Sequence, residues 1–178
     1  MPEAALEETE HGRVPAGDGW FVLNARDARW QENELGAYCP FEGEPRFRQL
    51  GINISVLQPG QPMSMYHWEA DQEGFLVVSG EPLLIVEGQE RPLRQWDFVH
   101  CPPRTNHVIV GAGDGPAIVV AVGARESTGD DWGGYTVDEA AIRHGAGVGT
   151  ATTKGAEAYA RFTQPAPRTY QDGWLPEL

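Results

Sequence analysis

The sequence predicts an all-β fold, a sandwich or barrel of short strands, and three observations predict it. Short apolar runs recur at regular spacing between residues 47 and 125. Many of the 22 glycines and 14 prolines fall between those runs as turn signals. No helical period interrupts them, so βαβ units, which need a long helical crossover, do not fit. A single domain follows from 178 residues that are 40% hydrophobic.

Each strand has its own signal. Phe47 to Gln58 alternates and stops at Pro59-Gly60. Met63 to Glu69 and Glu73 to Ser79 read as a hairpin around Ala70-Asp71-Gln72, closed by Gly80. Leu83 to Val86 turns at Glu87-Gly88-Gln89, and Arg91 to Arg94 returns. Asp97 to Cys101 halts at Pro102-Pro103, and Val108 to Val110 ends in the glycine-rich run 111–115. Ala117 to Val122 is a nearly continuous β-branched run.

The flanks differ from this centre. Residues 1–46 read as an irregular N-terminal arm with one strand-like run, Trp20 to Leu23, able to cover a sheet edge of its own chain or of a partner. Residues 126–178 read as a short helical and extended tail. There Thr136-Val137-Asp138-Glu139 looks like a capping box, Gly145 a natural C′ residue, and Thr153 to Phe162 a second short helix. The expected domains are therefore the arm at 1–46, the barrel at 47–125 and the tail at 126–178.

Charge and cysteine usage narrow the function. A formal net charge of −13 argues against nucleic-acid phosphates and anionic membrane surfaces as partners. Two cysteines, Cys39 and Cys101, lack CxxC spacing and read as buried thiols. No apolar run is long enough to span a bilayer, and no basic segment precedes an apolar core at the start. The expectation is a cytoplasmic protein.

The chemistry concentrates at Tyr66-His67-Trp68-Glu69-Ala70-Asp71-Gln72-Glu73 and at His107. On a strand, His67 and Glu69 share one face while Tyr66 and Trp68 take the other. The expected hairpin sets Glu73 opposite Glu69, and His107 is the best candidate for a further imidazole. Two histidines and two carboxylates make a divalent-metal ligand set. His100 and Cys101 precede that histidine and read as packing residues, and Asp97 as structural.

These residues resemble the motifs of the cupins, small double-stranded β-helix (jelly-roll) barrels. Gly60, His67-Trp68-Glu69, Glu73 and Gly80 follow the first cupin motif; Pro102-Pro103-Arg104 and His107 follow the second. Four positions depart from it: Glu69 replaces the second histidine, Trp96 and Arg104 replace glycines, and Gly111 replaces an asparagine. Arg104 in that turn suggests a backbone with no need of positive φ. The resemblance implies one divalent metal (zinc, iron, manganese or nickel) held by His67, Glu73 and His107. Glu69 is then either a fourth ligand or a catalytic general base.

Two functions are consistent with this reading. One is a small-molecule enzyme, dioxygenase-like or an isomerase, with Met63, Met65, Phe75, Ile85, Val108 and Val110 lining the mouth of its site. The other is a non-catalytic metal-containing barrel that binds or senses a small ligand. In the resembling family single barrels commonly pair, so a homodimer is expected.

Overall fold

A computed structural model describes residues 1–44, 46–127 and 131–176. Two sheets face one another. The larger contains β3 (Trp30–Asn33), β4 (Gly36–Cys39), β5 (Leu50–Leu57), β7 (Glu73–Ser79), β10 (Phe98–Cys101), β12 (Ala117–Ala124) and β14 (Ala166–Arg168). Its seven strands run β10-β7-β12-β5-β4-β3-β14. The smaller contains β6 (His67–Glu69), β8 (Leu83–Val86), β9 (Gln89–Pro92), β11 (His107–Val110) and β13 (Gly133–Tyr135), in the order β13-β6-β11-β8-β9. A separate hairpin joins β1 (Ala5–Thr9) and β2 (Gly12–Ala16).

The pairing of alternate strands into opposite sheets is what the jelly roll requires, and it corrects one expectation. His67–Glu69 and Glu73–Ser79 are strands, but they are not a hairpin. β6 pairs with β11 and β13, whereas β7 pairs with β10 and β12. Ala70-Asp71-Gln72 therefore crosses between sheets, held by Asp71, whose carboxylate accepts from the Glu126 and Ser127 amides and the Ser127 hydroxyl. The β8–β9 hairpin does form. Glu87 and Gly88 both have positive φ (47° and 74°), the signature of the two-residue turn that matches strand twist.

Between the sheets lies an apolar layer of Leu57, Phe75, Leu84, Cys101, Ile109, Val119 and Ala121. Alternation supplies it: Phe75 opposes Ala121, and Ala121 opposes Asn53, so all three share the inner face. The outer face of the small sheet (Ile85, Val108, Val110) is covered by α1 (Glu139–Arg143) through Ala140 and Ala141. These three aliphatics thus lie under a helix and do not line the site mouth. Asp138 is the N-cap of α1, accepting from the Ala141 amide, while Thr136 bonds Asn106 instead.

The N-terminal arm is more regular than its sequence suggests. Among the described residues Trp20 makes only a single bridge, to Glu3, but β3 and β4 extend the large sheet of their own chain. Trp30 is fully buried there, and its ring packs 4.9 Å from that of Trp174, so the tail clasps the arm. The second helix, α2 (Gly155–Ala158), is a single turn. No helix among the described residues is long and apolar enough to cross a membrane.

Candidate metal centre

Register places the two imidazoles. His107 of β11 sits directly opposite His67 of β6, and their ring centroids are 5.1 Å apart. Glu73, the first residue of β7, reaches across from the other sheet; its Oε2 lies 3.2 Å from His107 Nε2. Among the described residues, one ligand atom each from His67, Glu73 and His107 fall within 4.8 Å of one another. Glu69 lies outside that group. Its Oε1 stands 3.6 Å from His67 Nε2, and its side chain is 30% exposed against 2% for His107.

The ring nitrogens are already sorted. His67 Nδ1 donates to the Met65 carbonyl at 2.7 Å, and His107 Nδ1 donates to the Thr105 carbonyl at 2.9 Å. A carbonyl oxygen can only accept, so both neutral rings carry their proton on Nδ1 and turn a bare Nε2 inward. This is the arrangement by which backbone carbonyls orient imidazole ligands. His107 Nε2 is buried and, among the described residues, has no hydrogen-bond partner. A bare nitrogen facing a carboxylate oxygen at that distance is repulsive until a proton or a cation lies between them. The donor set of two imidazoles and a carboxylate suits a divalent metal with open positions. The group fits.

Without a metal the proton wins. Burial works against a charged His107, but Cys101 and the Glu73 carboxylate outweigh it and lift the imidazole to about 10. His100, by contrast, is exposed on the outer sheet face opposite Gly74, so it is neither a packing residue nor near the centre. Asp97 is structural, its carboxylate accepting from the Arg94 amide.

The substituted glycines are informative. Arg104 and Trp96 keep positive φ (69° and 74°), so the expectation of an ordinary backbone at Arg104 is wrong. The left-handed conformation persists without glycine. At Arg104 the guanidinium stacks over the Trp68 ring at 4.9 Å, an attraction that offsets part of the backbone cost. Trp96 is 66% exposed, and its amide donates to the Val77 carbonyl at 2.8 Å; among the described residues its ring makes no aromatic or cation–π contact.

The tail adds residues that sequence reasoning missed. β13 pairs with β6 and sets Tyr135 opposite His67, ring centroids 5.9 Å apart. Trp132 lies 6.3 Å from the same imidazole. Tyr159 accepts the Met65 amide, so it helps fix the segment whose carbonyl orients His67. Burial raises the phenols of Tyr135 and Tyr159, and the nearby Glu69 charge adds to it. Both stay protonated donors at neutral pH. Aromatic residues followed by the helical signal at 153–162 were the only hint in the sequence.

Comparison with known proteins agrees with this fold. The cupin-domain family model matches residues 53–123. The polyketide cyclase RemF from Streptomyces resistomycificus superposes with a TM-score of 0.52 at 11% identity, covering 62% of this chain and 87% of that one. A protein predicted to be an oxalate decarboxylase from Thermotoga maritima gives 0.52 at 14% identity, covering 58% and 97%. A proposed sugar phosphate isomerase from Acidithiobacillus ferrooxidans is 29% identical over 44% of this chain, with a TM-score of 0.43; the match spans 51% of that chain. No curated protein matches. Residues 53–123 thus match the cupin domain, and the two-sheet fold and the motif spacing agree with that match.

Proposed function

We propose that this chain is a metal-dependent cupin enzyme acting on a small molecule, as a dioxygenase-like oxidoreductase or an isomerase. One observation carries the reading: the buried, partnerless Nε2 of His107, converging with Glu73 and His67. His67, Glu73 and His107 hold the divalent ion, which is zinc, iron, manganese or nickel. When bound, it supplies Lewis acidity at positions the protein leaves open.

The remaining steps belong to the chain. The Met65 and Thr105 carbonyls keep both imidazoles in the ligating tautomer. The apolar inner layer excludes water and strengthens electrostatic interactions there. Glu69 is the most exposed of the four site residues, and so the one nearest an entering substrate. We assign it as the general base, with Tyr135 as a neutral hydrogen-bond donor beside it.

The test is Glu69→Gln, assayed for metal content and for metal-dependent oxygen uptake or isomerisation across a panel of small organic substrates. Retained metal with turnover lowered about 100-fold or more supports the assignment. Lost metal makes Glu69 a ligand instead. A metal-loaded wild-type protein that turns over nothing, yet binds small molecules, favours the sensor alternative.

A further inference from the structure

The inner face of the large sheet carries a polar strip that the metal chemistry does not use. Ser55 opposes Val119 on one side and Tyr38 on the other, and Tyr38 opposes Gln31. Asn53 lies in the adjoining row, opposite Ala121, which opposes Phe75. The Phe75 ring is 5.2 Å from that of His107. With strands spaced about 4.8 Å apart, the strip begins roughly 10 Å from Phe75.

Two cavities of about 480 and 430 Å³ meet on this strip, sharing Tyr38 and Pro165. The first has an apolar wall of Leu35, Leu57 and Met63, with Tyr159 at its edge. The second is lined by three arginines, Arg29, Arg46 and Arg125, together with Gln31 and Asn53. Arg125 is spent on Glu42, at 2.6 Å. Among the described residues, Arg29 and Arg46 make no ion pair. The Arg46 guanidinium is close enough to Tyr38 to pull its phenol down against the upward push of burial. In a chain of net charge −13, two uncommitted guanidiniums beside a polar strip and an apolar wall are a specific arrangement.

We infer that this cleft binds an amphipathic organic acid, its anionic head on Arg29 and Arg46 and its apolar body against Leu57 and Met63. Planar guanidiniums match carboxylate and phosphate oxygens geometrically, and the apolar wall supplies area for a chain or ring. The inference rests on the proposed metal-centred function and gives its substrate a class: an acid whose far end reaches toward His107.

Isothermal titration with 4-phenylbutyrate, phenyl phosphate and the uncharged 4-phenylbutanol tests it. The proteins are the full chain, its His107→Ala form, and Arg46→Gln, Arg29→Gln and Arg13→Gln variants, with metal content read on every sample. At least one anion is expected to bind tenfold or more tightly than the alcohol. That preference should survive His107→Ala, fall tenfold or more in Arg46→Gln or Arg29→Gln, and be unmoved in Arg13→Gln. The better of the two anions identifies the head group as carboxylate or phosphate. Equal binding of acid and alcohol overturns the inference, as does no binding of any probe. A loss confined to His107→Ala also overturns it, because the acid is then simply a metal ligand. Equal losses in all three arginine variants would reduce the effect to net charge and overturn it too. Metal content that is normal while the anion preference fails leaves the metal centre standing and removes only the cleft.

Discussion

His107 is where sequence, packing and chemistry meet most tightly. Its folded imidazole, at about 10, lies above the ordinary value of 6.5. A raised pKa means that the charged ring stabilises the metal-free fold fully below pH about 6.5, and that this contribution is lost as pH climbs through about 10. The melting temperature of chelator-treated protein should therefore fall over that window, while metal-loaded protein, with a cation in place of the proton, should hold nearly level. A metal-free melting temperature flat across the window would contradict the account. Cys39 gives a second residue-scale prediction. Burial pushes its thiol up to about 11, so it should resist a thiol reagent at neutral pH until the protein unfolds. Prompt labelling of native protein at Cys39 would place that thiol outside the core. His67, Glu73 and His107 were legible through the resemblance of their spacing to the cupin motifs, whereas the two-residue strand period alone joined His67 to Glu69, which stands outside the group, and the hairpin expected to bring in Glu73 does not form. The positive φ of Arg104 was not, because residue type alone does not reveal a backbone conformation retained after its glycine is gone.

At the scale of elements, the central strands were legible and their partners were not. Glu73–Ser79 and Leu83–Val86 begin and end where the apolar runs and glycines place them. Pairing is non-local, and a three-residue loop of plausible hairpin length in fact crosses between two sheets. β13 was invisible for a physical reason: Gly133-Gly134-Tyr135 has poor strand propensity and is a strand because the small residues allow close approach to β6. A Cβ at Gly133 would fall 2.3 Å from the Trp68 carbonyl oxygen. Gly133→Ala should thus destabilise by about 1–3 kcal/mol in urea denaturation. Gly149→Ala, where a Cβ meets nothing within 4 Å, should be near neutral. Similar midpoints for the two variants would contradict the close β6–β13 approach.

At the scale of the whole molecule, the two termini hold one another. Trp30-Gln31-Glu32-Asn33, polar apart from Trp30, hides a strand, because its edge is paired and its tryptophan packed by a tail more than a hundred residues later, something no local pattern records. Trp30, Tyr170 and Trp174 form the clasp, with Trp174 only 8% exposed. Trp174→Ala should cost about 3–5 kcal/mol of unfolding free energy, read from the denaturation midpoint. A change under about 1 kcal/mol would show that the tail is not part of the cooperative unit.

Elemental analysis of the purified protein beside its His67→Ala and His107→Ala variants bears most directly on the central claim. The account predicts close to one divalent ion per wild-type chain and a small residue of it in either variant, with both variants still folded by circular dichroism. Folded variants that carry the wild-type metal content, or a wild-type protein that takes up no divalent metal when offered it, would contradict the account.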